Sequence, residues 1–329
     1  MTFAWSSQTS AVVDDSIATE MVNRFLAFNG KLGIDAHMID TARVYAGGKT
    51  ESMVGRALQN IGPVSGKVIV GTKAHPSVKP GLSTNGINDQ LNTSLQEMQL
   101  SNVGEYYLHQ PDTETSLLES LQCAHSLVMD GRINRIGMSN YHASEVARAF
   151  DLCREYNLTP PTVYQGLYNP LNRLIEDELY PILKANGCSF VAYNPLAAGL
   201  LSGKHRGPND IVPGRFKDNE NYIPRFYTDT NFQAVDRIRK QCENDGISMV
   251  EATYRWILCH SALDENDGFL IGASSMEQLD QNLEAYGSAF EKDGLSKDLL
   301  TVFEECWELT KPGAFPYWRS YSRFGISSE

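Results

Sequence analysis

Short apolar segments alternate with amphipathic stretches along the whole chain. The apolar segments have the length of strands, and the stretches between them carry apolar residues at helical spacing. Gly30 and Gly131 end two of these stretches, as is typical of helix C-termini, and Ser144 is placed to cap a third. The predicted strands are residues 2–5, 36–40, 67–71, 103–108, 133–138, 162–165, 189–193 and 269–271.

Eight strands alternating with helices predict a parallel α/β fold, and that number favours closure into a (β/α)8 TIM barrel. A doubly wound sheet is disfavoured because the first strand is followed by SSQTSAVVDD, which has no GxGxxG motif. The long irregular stretch 199–228 follows the seventh strand, and loops of that length commonly act as lids or binding loops. We therefore predict one domain, residues 1–329, as a barrel with extra helices and this long loop.

Composition narrows the class of protein. The hydrophobic fraction of 42% and charged fraction of 21% are those of a soluble globular chain. A net charge of −12 argues against a nucleic-acid partner, because phosphate neutralisation needs a basic surface. The six cysteines form no CxxC pair, and no basic signal sequence or membrane-length apolar run is present. These features predict a cytoplasmic enzyme or binding protein with no bound metal and no membrane partner.

Four polar residues stand at the downstream ends of predicted strands: Asp40, Tyr45, Lys73 and His109. In a parallel barrel these ends meet at one rim, where active sites lie. Lys73 would lower the pKa of the Tyr45 phenol, Asp40 would hold the lysine, and His109 would bind a carbonyl oxygen. Taken singly, each has a structural alternative: packing for the tyrosine, a surface position for the lysine, a cap for the aspartate and a turn for the histidine.

Seven motifs in this chain occur together in one known family. They are DTARVY, GTKAHP, YYLHQPD, IGMSNYHASEV, TVYQGLYN, VAYNPLAAGLLSGK and IGASSMEQLDQNL. From about Phe3 to Arg319 the chain closely resembles the aldo-keto reductase superfamily, most of all its aflatoxin-aldehyde reductase branch. The resemblance implies a (β/α)8 barrel that reduces aldehydes and ketones with NADPH and without a metal. It assigns a catalytic tetrad to Asp40, Tyr45, Lys73 and His109, with Tyr45 as general acid.

The resemblance also implies a cofactor site. Polar side chains would bind the nicotinamide carboxamide, Tyr193 would stack on its ring, residues 194–204 would wrap the pyrophosphate, and residues 272–282 would hold the adenosine. The implied cofactor-binding residues are Ser139, Asn140, Gln165, Tyr193, Asn194, Pro195, Leu196, Gly199, Leu201, Gly203, Lys204, Arg215, Gly272, Ala273, Ser274, Ser275, Gln278, Gln281 and Asn282. Tyr222 and Arg319 correspond to substrate-pocket positions.

Several alternatives stay open at this point. Many superfamily members carry basic residues where this chain has Gly272 and Gln278, so a preference for NADPH over NADH rests mainly on Arg215 and serine hydroxyls. The superfamily also includes channel β-subunits, so a cofactor-binding regulatory subunit with little turnover is the second hypothesis. Arg319 and Tyr222 suggest a carbonyl substrate with an anionic or polar group, and a secondary-metabolite carbonyl is equally allowed. A homodimer follows from the branch resemblance alone.

Overall fold

Seven parallel strands form one curled sheet in the computed structural model of this protein, which describes residues 3–5, 9, 11–62, 66–208, 211, 214–217, 219–291 and 294–323. Each strand pairs with the next strand along the chain, as βαβ units require. The α/β class and barrel-type topology are therefore confirmed. The strands are β1 (Ala36–Asp40), β2 (Lys67–Ala74), β3 (Val103–Leu108), β4 (Ile133–Ser139), β5 (Val163–Leu167), β6 (Ser189–Tyr193) and β7 (Gly268–Phe269).

Helices pack around the outside of this sheet. They are α1 (Asp15–Lys31), α2 (Lys49–Ile61), α3 (Thr84–Met98), α4 (Leu117–Met129), α5 (Ala143–Glu155), α6 (Leu179–Ala185), α7 (Ile223–Phe226), α8 (Asp229–Asp245), α9 (Met249–Cys259), α10 (Met276–Glu291) and α11 (Lys297–Thr310). Many begin at an Asp, Ser or Thr side chain that accepts a hydrogen bond from a first-turn N–H, as Ser83 does for α3.

The predicted helix ends are partly wrong. The N-cap of α5 is His142, whose ring accepts a hydrogen bond from the N–H of Ser144, so Ser144 lies inside the first turn. Helix α1 continues through Gly30 to Lys31. Gly131 does follow the end of α4 with a φ of +68°, the left-handed conformation in which glycine is favoured.

The predicted first strand, residues 2–5, is wrong over its described part. Phe3 and Ala4 form a turn, and Ala4 has a φ of +63°, which no strand residue adopts. Instead of pairing, Phe3 buries its side chain and its carbonyl accepts a hydrogen bond from Thr50. Thr2 lies outside the described residues. Within the described chain β1 and β7 are consequently the sheet edges, and a cavity opens between them.

The long stretch 199–228 contains more structure than the sequence suggested. A 3-10 helix at Ala197–Ser202 leads into it and α7 lies near its end, while residues 209–210, 212–213 and 218 lie outside the description. The Phe216 ring is fully buried and packs against His205, Tyr227 and Phe226 at centroid distances of 5.2, 4.6 and 6.1 Å. This aromatic cluster packs the early, middle and late parts of the stretch against one another.

Substituting Gly55 by alanine should destabilise the packing of α2 on α3. A Cβ at this position would lie 2.7 Å from the Cα and carbonyl oxygen of Met98, so the two backbones must separate. We expect the free energy of unfolding to fall by about 1–3 kcal/mol in urea titrations. The matched control is Gly30→Ala in α1, where nothing lies within 4 Å of the added Cβ. Equal stability of the two variants would contradict the packing argument.

Candidate active site

The ends of three neighbouring strands bring the four predicted catalytic residues together. Asp40 is the last residue of β1, Lys73 lies near the end of β2, and His109 directly follows β3. The chain after β1 stays beside β2 because the N–H of Arg43 donates to the carbonyl of Lys73 at 3.2 Å. That bond carries Tyr45, at the start of the next turn, to the same rim.

Lys73 and Asp40 form a buried ion pair at the base of this rim. The Lys73 Nζ donates to Asp40 Oδ1 at 2.6 Å and to the Thr41 carbonyl at 2.7 Å. Lys73 is fully buried, and desolvation lowers its pKa although Asp40 raises it. The surface-lysine alternative is therefore wrong, and Asp40 holds the lysine in the predicted manner.

Tyr45 lines the cavity above this pair. Its ring meets the His109 ring edge-on at a centroid distance of 5.8 Å, and the Lys73 Nζ lies 5.4 Å from its centroid. Desolvation by the surrounding protein, followed by the charge of Asp40, raises the pKa of Tyr45 well above its ordinary value. This direction is opposite to the one expected from the sequence. Tyr45 consequently carries its proton at neutral pH.

His109 is held as a neutral imidazole. The backbone N–H of His109 extends the sheet by donating to the Ala74 carbonyl at 2.9 Å. The backbone carbonyl of His109 accepts a hydrogen bond from Asn140 Nδ2 at 2.8 Å. Burial, and then the charges of Lys73 and His75, lower its pKa well below the ordinary value. Among the described residues the buried Nδ1 has no hydrogen-bond partner. A neutral ring keeps one N–H donor for a ligand oxygen.

The predicted nicotinamide-binding residues lie beside the tetrad in two hydrogen-bonded groups. Tyr193 donates to Asn140 Oδ1 at 2.8 Å, and Asn140 Nδ2 donates to Ser139 Oγ at 3.0 Å. Gln165 Nε2 donates to Asp40 Oδ1 at 2.9 Å. Gln165 is thereby joined to the ion pair through Asp40.

One cavity of about 1110 Å³ contains most of the predicted site. Of the predicted residues, four do not line it: Lys73, Leu201, Gly203 and Ser275. The predicted residues that line it are Asp40, Tyr45, His109, Ser139, Asn140, Gln165, Tyr193, Asn194, Pro195, Leu196, Gly199, Lys204, Arg215, Tyr222, Gly272, Ala273, Ser274, Gln278, Gln281, Asn282 and Arg319.

The far end of this cavity is polar but carries little positive charge. Ser274 donates from both its backbone N–H and its hydroxyl to Gln278 Oε1, at 2.9 and 2.8 Å. Asn282 donates to the Gly272 carbonyl at 3.0 Å. Residues 272–282 include no lysine or arginine, so a positive charge for a phosphate at this end would have to come from another segment, and Arg215 is the predicted one.

Arginines and aromatic rings surround the mouth of the cavity. The Arg215 guanidinium lies 5.3 Å from the Trp5 ring and 5.5 Å from the Tyr222 ring. The guanidinium groups of Arg225 and Arg319 lie 4.5 and 5.0 Å from the Phe315 ring. Burial, and then the neighbouring Arg319, lower the pKa of Arg225.

Sequence reasoning missed Trp5, Arg225 and Phe315. Trp5 belonged to the segment predicted to be a strand, and Arg225 to the segment predicted to be irregular. An arginine within the aromatic-rich run NYIPRFY was the available signal for Arg225.

No group of three or more His, Cys, Asp or Glu side chains among the described residues is arranged to hold a metal ion. No helix in the described ranges is long and apolar enough to cross a membrane.

Comparison with known proteins identifies the class to which this site belongs. The sequence profile of the Aldo/keto reductase family matches residues 1–297. The human protein named aldo-keto reductase family 7 member A3 is 37% identical over 293 residues, covering 85% of this chain and 87% of the relative. Rat aflatoxin B1 aldehyde reductase member 2 is 36% identical, with 85% and 79% covered. Oxidoreductase sirO of Leptosphaeria maculans is 31% identical, with 92% and 90% covered.

The class is thus that of barrel oxidoreductases that use a nicotinamide cofactor and act on small-molecule carbonyl compounds. This chain belongs to the aldo/keto reductase family. The predicted family and enzyme class are confirmed. The roles of individual residues remain predictions.

Replacing His109 by glutamine should weaken the pH dependence of stability. The folded state depresses the pKa of His109, so between that value and about 6.5 the unfolded chain binds more protons. Stability is therefore lost as pH falls below about 6.5, with a slope of at most about 1.4 kcal/mol per pH unit for one group. Urea unfolding of His109→Gln between about pH 5 and 7 should show a shallower slope than the wild type.

His75→Gln is the matched comparison for this measurement. Burial also lowers the pKa of His75, but its ring is less deeply enclosed than that of His109. We therefore expect a smaller reduction in slope. Parallel slopes for the wild type and His109→Gln would contradict the assignment of a buried neutral imidazole.

Proposed function

We propose that this protein reduces an aldehyde or ketone to an alcohol with NADPH, and that Tyr45 supplies the proton. The observation that carries the proposal is the buried Asp40–Lys73 pair beneath Tyr45, at the wall of a cavity that also contains the predicted cofactor residues. When bound, the reduced nicotinamide supplies a hydride to the carbonyl carbon. The protein must then deliver a proton to the carbonyl oxygen.

Tyr45 is suited to be that proton donor. Its raised pKa keeps the proton on the phenol at neutral pH until a more basic oxygen develops. As negative charge forms on the substrate oxygen, the proton moves to it and leaves a phenolate. The Lys73 ammonium, 5.4 Å from the Tyr45 ring centroid, stabilises that phenolate, and Asp40 fixes the ammonium in place.

His109 is suited to orient the carbonyl oxygen beside Tyr45. A neutral imidazole donates one hydrogen bond without competing as an acid. Its edge-on contact with the Tyr45 ring places the two groups on the same side of the cavity. A carbonyl oxygen accepting from both groups would be polarised before the hydride arrives.

The cavity has the chemistry that a nicotinamide dinucleotide requires. Hydrogen-bonding side chains and the Tyr193 ring lie beside the tetrad, and Gly199 adopts a φ of +111°, so its backbone can approach a pyrophosphate closely. Lys204 adds a positive charge on the same wall. The volume of about 1110 Å³ is above the usual range for small-molecule sites, which leaves room for a dinucleotide with a small substrate.

The arginine-rich mouth favours a carbonyl substrate that carries an anionic group. Arg319 and Tyr222 line the cavity, and Arg225 reinforces the positive potential beside them. An acidic semialdehyde would be such a substrate, a dialdehyde would present a polar group instead, and a secondary-metabolite carbonyl remains the alternative. The relatives are named as reductases and an oxidoreductase, which favours turnover over the regulatory-subunit hypothesis. A cytoplasmic location and a homodimer remain parts of this proposal.

Tyr45→Phe should abolish most turnover while preserving cofactor binding. Loss of a positioned general acid typically reduces the rate by about 10²–10⁴-fold. Turnover would be followed as NADPH oxidation with a panel of aldehydes, and binding by quenching of protein fluorescence. Tyr106→Phe is the control, because this buried tyrosine donates to the Ile87 carbonyl outside the site. Full activity in Tyr45→Phe would overturn the assignment of the proton donor.

Arg215→Met should separate NADPH binding from NADH binding. If Arg215 contacts the 2′-phosphate, its loss should weaken NADPH about tenfold or more, since charge-assisted bonds to phosphate are strong, and leave NADH almost unchanged. Arg206→Met is the control, because Arg206 lies in the same stretch and does not line the cavity. Equal weakening of both cofactors would assign Arg215 to the pyrophosphate and remove it from cofactor discrimination.

A further inference from the structure

The ammonium group of Lys73 lies over an aromatic ring inside the barrel. Its Nζ is 5.3 Å from the centroid of the Tyr107 ring on β3, and Lys73 and Tyr107 are register partners across β2 and β3. The ammonium gives hydrogen bonds to Asp40 and Thr41 and has this ring as a further neighbour. A cation is attracted to the negative face of an aromatic ring, and more strongly when water is excluded.

The Tyr107 hydroxyl is itself bonded to a buried carboxylate. It donates to Glu105, two residues earlier on the same face of β3. Glu105 is 2% exposed, and its other oxygen accepts from Arg135 at 3.0 Å. Arg135 is anchored in turn by the Thr162 carbonyl at 2.8 Å and Ser189 Oγ at 2.9 Å. A continuous polar chain therefore runs from the lower end of the barrel to the underside of Lys73.

The neighbouring strand is shaped to admit the Tyr107 ring. Its register partner on β4 is Gly137, and a Cβ there would lie 2.3 Å from the ring carbon Cδ1. Only glycine leaves that space. The ring consequently lies across β4 at the level of Lys73.

We propose that Tyr107 and Glu105 form a positioning pair that keeps the Lys73 ammonium charged and in place beneath Tyr45. The proposal rests on the proposed function, because the charged lysine matters only if Tyr45 becomes a phenolate during turnover. Neither residue touches the reacting atoms. A tyrosine that donates to a carboxylate has a more electron-rich ring, so the pair presents negative potential to the ammonium from below while Asp40 does so from the side.

Other charged and titratable groups also surround Lys73, and they come from several elements. Asp40 lies at the end of β1 and Tyr45 in the turn after it, Glu51 lies on α2, and His109 directly follows β3. Glu51 is occupied by Arg43 and by Thr72, whose hydroxyl donates to it at 2.6 Å. Asp40 and Glu105 are thus the carboxylates on the barrel side of the lysine, and Glu105 is the more remote of the two.

Removing the negative charge of Glu105 should make the lysine lose its proton more easily. Desolvation already lowers the pKa of Lys73, and Glu105 opposes that effect. In Glu105→Gln the pKa of Lys73 should fall further. Because turnover requires the ammonium, the alkaline limb of the kcat/KM profile should move to lower pH by about half to one unit.

Two variants of Tyr107 separate the effect of its aromatic ring on Lys73 from the effect of its hydroxyl group. Tyr107→Phe keeps the aromatic face and should shift the alkaline limb by less than Glu105→Gln, in the same direction. Tyr107→Leu removes the ring and should lower kcat at neutral pH about tenfold or more, with little change in KM. Recovery of kcat in the phenylalanine variant relative to the leucine variant would identify the ring as the positioning element.

The test combines a pH profile with a direct titration of Lys73. Protein labelled with ¹³C at the lysine Cε positions would be titrated by NMR, with Lys73 assigned from Lys73→Arg. Glu105→Gln should lower the titration midpoint of Lys73, and Tyr106→Phe, the matched buried tyrosine on the same strand, should leave it unchanged. Thermal unfolding of each variant would establish that it is folded. If Glu105→Gln does not fold, the smaller downward shift of the Lys73 midpoint expected in Tyr107→Phe tests the proposal instead, and an unchanged midpoint in that variant would overturn it.

The outcomes distinguish this inference from the proposed function. If Tyr45→Phe is inactive but the Lys73 midpoint and alkaline limb stay unchanged in Glu105→Gln, the positioning pair is overturned and the reductase proposal stands. If Tyr45→Phe remains fully active while the Lys73 midpoint moves, the pair tunes the lysine but the assigned proton donor is wrong.

Discussion

The buried ion pair between Lys73 and Asp40 is the constraint on which the site depends. A lysine that is fully enclosed cannot remain charged without an anion at hydrogen-bond distance, and Asp40 lies 2.6 Å away. The same carboxylate accepts a hydrogen bond from Gln165 on β5. One carboxylate therefore joins the lysine to Gln165 of the proposed cofactor site, and its position is set by the parallel pairing of β1 with β2.

The site is electrostatically unlike the molecule that contains it. The whole chain carries a net charge of −12, yet Arg215, Arg225 and Arg319 surround the mouth of the cavity. Negative charges elsewhere on the surface do not oppose binding of an anionic cofactor or substrate, because salt screens their repulsion beyond about 10 Å. The arginines at the mouth would instead contact the anion directly. Aromatic rings beneath the guanidinium groups hold them in place without neutralising them.

The predictions that held and those that failed have different physical origins. Strands 103–108 and 189–193 have their predicted bounds because each is a short, mainly apolar run between polar breaks. Residues 2–5 are also mainly apolar, but Ala4 adopts a left-handed conformation and the Phe3 side chain is buried, so tertiary packing overrides the local preference. The predicted direction of the Tyr45 pKa shift was wrong. Desolvation raises this pKa by more than the nearby Lys73 ammonium lowers it, and a sequence does not reveal how deeply a side chain is buried.

The sequence by itself determined the strand–helix alternation, the placement of Asp40, Tyr45, Lys73 and His109 at strand ends, and, through seven ordered motifs, the family. These are properties of local spacing and residue identity. Only the tertiary structure decided that Glu105 and Tyr107 lie under Lys73, that Arg225 joins Arg319 on Phe315, and that Lys73 is enclosed. Those relations join residues far apart in the chain, and they exist because curling of the parallel sheet directs side chains of different strands into one interior.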